Sequence, residues 1–204
     1  MSVTVVLRLR ARPGQADAVL AAGTALYQRA LQARTLQAVR VLQGLADPDD
    51  VLVLGEWQKR EAYWAARAAD QAGDEIVALC AGPPQRYFFD RLGYYEDMSR
   101  RAWMVAAAFM RAPAATAAAF AAFLTRDGRQ FTADAPGLVY RYVYQDADDP
   151  THFLLSIGLA SQPDWEHFQQ ALAPPIQAAV AARGGTLDPF AGRAQVDTDL
   201  YGGT

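Results

Sequence analysis

One unit occurs twice in this sequence, and the repeat limits the possible folds more than any other feature. "LQAVRVLQGLADPDDVLVLGEW" begins at Leu36, and "LVYRYVYQDADDPTHFLLSIGL" begins at Leu138, 102 positions later. In each copy, two runs rich in β-branched and aliphatic residues flank a turn that contains Asp and Pro. This pattern predicts a β-hairpin. A repeat of this length indicates one structural unit that has been duplicated.

The flanking segments match as well. Apolar strands at residues 3–10 and 102–110 each precede an amphipathic helix and then the hairpin. A second helix and a last strand, expected at about 86–92 and 194–201, follow each hairpin. Each half therefore has the order β-α-β-β-α-β, which is ferredoxin-like and belongs to the α+β class. We expect two such repeats, residues 1–97 and residues 102–204, packed sheet to sheet as a pseudo-dimeric α+β barrel, because each sheet has a second face to cover.

The composition limits the kinds of partner that we expect this chain to bind. The chain has 204 residues, 20% of them charged, and a net charge of −3 without a basic cluster. We therefore expect no nucleic acid as a partner. No apolar run reaches the roughly 18 residues of a membrane helix, so we expect no membrane partner either. The single cysteine, Cys80, excludes an internal disulfide and favours a cytoplasmic location; its apolar surroundings predict a buried, inert thiol.

The order of motifs in the first half resembles a known family. A strand, "RPG", an amphipathic helix, the hairpin ending in "GEW" and then "REAYWAA" are similar to the antibiotic biosynthesis monooxygenase family of dimeric α+β barrels. The second half follows the same outline but has Leu159 where the first has Trp57. The resemblance implies a small apolar or aromatic ligand, an internal pseudo-dimer in place of two chains, and a possible further homodimer. Members of this superfamily have several reactions, so fold alone does not assign one.

The resemblance places a pocket near the end of the third strand and the start of the second helix. Trp57, Tyr63 and Trp64 would lie there and bind substrate. The alternative is that all three are core, since large aromatic side chains at a strand–helix contact bury much area. Arg86, which lies among aromatic residues, is a further candidate for holding an acidic or phenolic ligand. The alternative for Arg86 is an ordinary edge strand.

In the second half, Asp164 and His167 are three residues apart on the predicted second helix, with Trp165 between them. The pair could serve as a general base, and Trp165 could bind substrate. The alternative, which the sequence favours, is a surface helix whose N-terminal Asp interacts with the helix dipole. His152 follows a turn and is expected to face solvent.

No motif for a metal, a phosphate loop or a catalytic triad is present, so we expect no cofactor. If the protein is an enzyme, the resemblance implies a monooxygenase that oxidises an aromatic or quinol-like molecule with O2 and needs neither metal nor flavin. The first alternative is a non-catalytic binding or stress-related protein for an apolar ligand. The second is a haem-binding protein without turnover, because the chain has no asparagine and the resemblance implies that haem-degrading relatives need one.

Overall fold

The computed structural model describes residues 2–32, 34–69, 72–97, 99–133 and 135–199. These residues divide between two compact units, the first within residues 1–88 and 192–204 and the second within residues 89–191. None of the helices in this described part combines the length and apolar character that a membrane-spanning segment requires.

The first repeat contains β1 (Val3–Arg10), α1 (Ala16–Gln32), β2 (Leu36–Gly44), β3 (Asp50–Trp57), α2 (Arg60–Ala69), α3 (Ala72–Leu79) and β4 (Gln85–Glu96). In the first unit, β3 pairs antiparallel with both β1 and β2. Side chains that alternate along these strands point to a core shared with α1, because successive residues of a strand face opposite sides. That core includes Val5, Leu9, Val39, Val41 and Val53.

The second repeat contains β5 (Met104–Arg111), α4 (Ala117–Thr125), β6 (Leu138–Asp146), β7 (His152–Leu159), α5 (Gln162–His167), α6 (Ala173–Ala181) and β8 (Thr186–Asp199). Short 3-10 segments cover Ala114–Thr116 and Asp127–Phe131, and a π-helical turn, Phe168–Leu172, joins α5 to α6. In this unit β7 pairs antiparallel with β5 and β6, and residues 89–96 of β4 pair with β6. The predicted α+β class with two ferredoxin-like repeats is confirmed.

The hairpin registers confirm the 102-residue repeat in detail. Val41 pairs with Val53 in the first hairpin, and Val143 pairs with Leu155 in the second. Both β2 and β6 also change register near their first residues, between Leu36 and Ala38 and at the equivalent place in β6. A β-bulge at the same position in both copies is expected of a duplicated unit, because bulges are kept with a fold.

The last strands extend further than the sequence pattern predicts. β8 begins at Thr186, although its alternation is visible only from about residue 194. Its segment from Gly192 to Asp199 pairs with β2 in the first unit. The compact units and the sequence repeats therefore differ at their ends, because the last strand of the second repeat adds to the sheet of the first unit.

The expectation that His152 faces solvent is wrong. Its side chain is buried, with 4% of its surface exposed, and its Nδ1 lies 3.0 Å from Oδ2 of Asp146. The rings of Phe89 and Phe109 pack around the imidazole at centroid distances of 5.4 and 6.1 Å. The turn residues before His152 gave no sign of this, because the paired carboxylate precedes the turn and meets the imidazole only when the hairpin closes.

Candidate functional site

The first unit contains a cavity of about 490 Å³ between its sheet and its helices. The strands contribute aliphatic side chains that alternate along the chain, Leu7 and Leu9 from β1 and Val51 and Val53 from β3. α1, α2 and α3 form the opposite wall. A cavity of this size with a mostly aliphatic wall is typical of sites for small apolar molecules.

Trp57 ends β3 and lines this cavity with only 3% of its surface exposed. Its ring meets that of Tyr63 edge to face, with centroids 5.4 Å apart and planes at 80°. A Cβ at Gly55 would lie 2.9 Å from Trp57 Nε1, so glycine lets the indole lie against the strand. The buried indole N–H has no hydrogen-bond partner among the described residues. Buried donors are normally satisfied, and an acceptor on a bound molecule would satisfy this one.

Two phenols provide further polar groups on the wall. Tyr27 projects from α1, and burial raises the pKa of its hydroxyl far above its usual range. Burial also raises the pKa of Tyr63, while the charge of Arg86 and a hydrogen bond from it act in the opposite direction. Both phenols are therefore neutral near pH 7 and can donate a hydrogen bond to a ligand.

Arg86, at the start of β4, is exposed to solvent and also lines the cavity. Its guanidinium carbon lies 5.6 Å from the ring centroid of Tyr63 and 4.9 Å from that of Trp64. The side chain thus joins the interior of the cavity to its solvent-facing mouth. A guanidinium is always charged near neutral pH, so this end of the cavity favours an anionic oxygen.

The structure brings together three of the residues singled out in the sequence, Trp57, Tyr63 and Arg86, on one cavity wall. Trp64 is 44% exposed and does not line the cavity; it packs beside Tyr63 and under Arg86 at the surface. Adjacent helical residues point about 100° apart, which explains why Tyr63 faces inward and Trp64 outward. The role of each in substrate binding stays a prediction.

The candidates in the second repeat do not meet at a cavity in the same way. Ser161 caps the N-terminus of α5: its Oγ accepts from the backbone N–H of Asp164, and its hydroxyl donates to the Asp164 carboxylate at 2.5 Å. His167 is exposed, and within the described ranges no hydrogen bond or ion pair joins it to Asp164. Trp165 is buried and stacks on Phe168 with centroids 5.8 Å apart. The geometry is that of a capped surface helix with one aromatic residue in the core.

The second repeat also has larger side chains where the first has its cavity. Phe153 and Leu155 occupy the positions equivalent to Val51 and Val53, 102 residues later. Phe153 is fully buried and packs against Phe120 with ring centroids 5.2 Å apart. The two repeats are therefore equal in fold but unequal in the space they leave between sheet and helices.

Two cavity residues on α1, Gly23 and Tyr27, are not among the candidates that the sequence pattern indicates. Gly23 is buried on the cavity side, and a Cβ built there would meet nothing within 4 Å. Tyr27 lies one turn later on the same face of the helix and is also buried. A glycine and a hydroxyl-bearing residue one turn apart on an otherwise aliphatic face were the available signal.

Cys80 is buried as predicted and does not line the cavity; its thiol donates to the Ile76 carbonyl oxygen at 3.2 Å. Burial raises the pKa of this thiol, which keeps it protonated. Among the described residues, no group of three or more His, Cys, Asp or Glu side chains is placed to hold a metal ion.

Comparison with known proteins agrees with this fold. Residues 2–74 match the model of the family called antibiotic biosynthesis monooxygenase. Two solved structures described as "putative monooxygenase" cover nearly the whole chain. The one from Lactobacillus acidophilus NCFM has a TM-score of 0.75 at 10% identity, covering 97% of this chain and 96% of its own. The one from Fusobacterium nucleatum has a TM-score of 0.77 at 8% identity, covering 98% and 94%.

A third structure, an anthrone oxidase-like protein, has a TM-score of 0.70 at 13% identity and covers 98% of this chain and 94% of its own. At these identities the likeness establishes the fold. No curated protein matched the chain.

Proposed function

We propose that the first repeat, in which residues 2–74 match the antibiotic biosynthesis monooxygenase family, oxidises an electron-rich aromatic or quinol-like molecule with O2 in its cavity, without metal or flavin. The main observation that supports the proposal is the group of hydrogen-bond donors in this apolar cavity. Arg86 is hydrogen-bonded to Tyr63 at the mouth, and the buried indole N–H of Trp57 has no partner among the described residues. Together they suit a flat, mostly apolar molecule with an oxygen that becomes negatively charged.

Ionisation of the substrate is the first chemical step. The described residues of the cavity wall include no carboxylate, imidazole or thiol, and the two phenols have raised pKa values, which makes them poor acceptors of a proton near pH 7. The substrate must therefore be acidic itself, as a phenol or an enolisable ketone is. The charge of Arg86 favours the anion, and the proton leaves to water at the exposed mouth.

The anion then reduces O2. One electron passes from the substrate anion to O2, which gives a substrate radical and superoxide, and the two combine at carbon to form a peroxide. Loss of the remaining C–H proton and of hydroxide leaves C=O at that carbon, which was a CH2 group in an enolisable ketone or a ring CH in a phenol, so that one oxygen atom enters the product and the other leaves as water. The aliphatic wall contributes by excluding water from the anion and by orienting it.

The absence of a described base on the wall favours one alternative, a non-catalytic protein that binds an apolar ligand. A cavity that binds an acidic aromatic molecule without oxidising it would have the same donors. Haem binding without turnover is the weaker alternative, because the described wall offers only phenols as iron ligands.

The test is oxygen consumption with metal-free, flavin-free protein in the presence of a chelator. A panel of anthrone, 1,4-naphthohydroquinone and 2-naphthol covers CH-acidic, quinol and phenolic substrates. We expect catalytic turnover of at least one, with the product carrying one atom of ¹⁸O from ¹⁸O2. Arg86→Gln should lower kcat/KM by about 10²-fold, the loss typical of a donor to a developing oxyanion.

Arg111→Gln is the matched control, because Arg111 is an ion-paired surface arginine outside the cavity. It should leave kcat/KM unchanged. Tight binding of the panel without oxygen uptake would contradict the proposed reaction and support the binding alternative. Bleaching of added haemin only, with no aromatic oxidation, would contradict both.

A further inference from the structure

The second unit contains a separate cavity of about 430 Å³, lined by parts of β4, α4, the Asp127–Phe131 segment and β6. All of its lining residues lie between Leu92 and Arg141, so none is shared with the first cavity. Its wall is less apolar than that of the first cavity, and among the described residues it includes two arginines and no acidic side chain. The arginines are Arg129 and Arg141.

Arg141 is a buried cation. Its side chain projects from the central strand β6, and only 5% of the residue is exposed. Its Nη2 donates to the Leu124 carbonyl oxygen at 2.5 Å, while its buried Nε has no partner among the described residues. A guanidinium has five N–H donors, and a buried one is normally paired with an anion. Within the described ranges no carboxylate forms an ion pair with Arg141.

Arg129 adds a second positive charge to the same wall. Burial and, to a smaller extent, the like charge of Arg129 together lower the pKa of Arg141 to about 10. Both effects mean that the surroundings of Arg141 disfavour its positive charge. The hydroxyls of Thr125 and Thr132, which are uncharged and cannot balance the two cations, donate to the carbonyl oxygens of Ala121 and Arg129.

Local backbone features leave space beside the guanidinium of Arg141. A Cβ at Gly128 would lie 3.3 Å from Arg141 Nη2 and 3.2 Å from the Phe123 carbonyl oxygen, so a side chain there would crowd the guanidinium. β4 changes register beside the cavity, between Arg91 and Gly93. Bulges of this kind change the direction of side chains next to sites. The exposed rings of Tyr94 and Tyr95 flank the opening as apolar surfaces.

From these observations we propose that the second cavity binds a small organic anion whose carboxylate or phosphate group is held between Arg141 and Arg129. Two guanidinium groups provide the paired N–H donors that match the oxygens of either group. Leu92, Leu138 and the two exposed tyrosines would contact the apolar remainder of the molecule. The site lies in the second unit and the first cavity lies in the first, which gives the two units different tasks.

The experiment is isothermal titration of the whole chain at constant ionic strength with four probes. Benzoate and phenyl phosphate carry the two candidate groups on the same ring, benzamide is the neutral equivalent, and inorganic phosphate lacks the ring. We expect benzoate or phenyl phosphate to bind at least tenfold more tightly than benzamide. The preferred probe of the two identifies the anionic group, and a large advantage of phenyl phosphate over inorganic phosphate supports the role of the ring.

Variants locate the binding. Arg129 is exposed, so Arg129→Gln leaves the core intact and should weaken anion binding at least tenfold. Arg111→Gln removes a surface arginine outside both cavities and should not change it. Arg141→Lys keeps the charge but loses the planar donors and should also weaken binding, provided that its circular dichroism matches the parent.

Equal binding of benzoate and benzamide would overturn the proposal. So would anion affinity that is the same in Arg129→Gln as in the parent, or equally reduced in Arg111→Gln. These outcomes do not depend on the proposed oxidation, because the first cavity keeps all of its residues in every variant.

Discussion

Gly23→Ala is the most direct test of the first cavity, because its effect on the stability of the chain and its effect on the space in the cavity can be measured separately. Gly23 lies in the middle of α1 on its buried side. A Cβ there would meet nothing within 4 Å, although the residue lines the cavity. Alanine should therefore stabilise the helix without a clash, while its methyl group points into the open space.

The expected gain follows from helix propensity. Glycine is less favourable than alanine by about 0.8–1.0 kcal/mol in a helix interior. For a chain of this size, about 1 kcal/mol raises Tm by roughly 2–4 °C. A ligand that fills the cavity should bind more weakly by about 1 kcal/mol, since the added methyl group overlaps with it. The variant is thus expected to be more stable and to bind less well.

Thermal unfolding followed by circular dichroism measures the first effect, and quenching of tryptophan fluorescence by the neutral probe 2-naphthol measures the second. Gly14→Ala is the matched control. It too meets nothing within 4 Å, but its φ is +75°, where a side chain is strained. It should lower stability by about 1 kcal/mol without changing naphthol binding.

A lower Tm for Gly23→Ala would refute the reasoning, because it would mean that the methyl group meets atoms where the structure has space. A higher Tm with unchanged naphthol binding would show that the probe does not occupy this cavity.

Three other perturbations test the packing around the two units. Gly55→Ala places a Cβ 2.9 Å from Trp57 Nε1 and should cost about 1–3 kcal/mol, with a change in near-UV circular dichroism as the indole moves. Burial raises the pKa of Tyr27 above its unfolded value of 10.0. The stability that this residue contributes is therefore present below pH 10 and is lost at more alkaline pH. Tyr27→Phe should make the free energy of unfolding between pH 10 and 12 less dependent on pH. Asp146→Ala removes the carboxylate 3.0 Å from buried His152 and should lower the free energy of unfolding by about 1–3 kcal/mol in denaturant titration, and an unchanged midpoint would contradict the buried pair.

The sequence by itself determined the elements and their order. Apolar alternation marks β3 from Val51 to Leu54, and the Asp- and Pro-containing turns mark the hairpins, because both signals depend only on neighbouring residues. The 102-residue repeat then gave the duplication, and the registers of Val41 and Val143 confirm it. The junction of strand and helix also predicted that Trp57 and Tyr63 would be close to each other.

Only the tertiary structure decided which side chains line a cavity and which fill the equivalent space. Val51 and Phe153 occupy equivalent positions in equivalent strands, yet one lines a cavity and the other packs against Phe120. Burial of Arg141 was also hidden, because a strand with alternating tyrosines does not reveal that its arginine lies under a helix carbonyl. Such features depend on the volumes of side chains that are distant in the sequence, and close packing of those volumes is settled only when the whole unit folds.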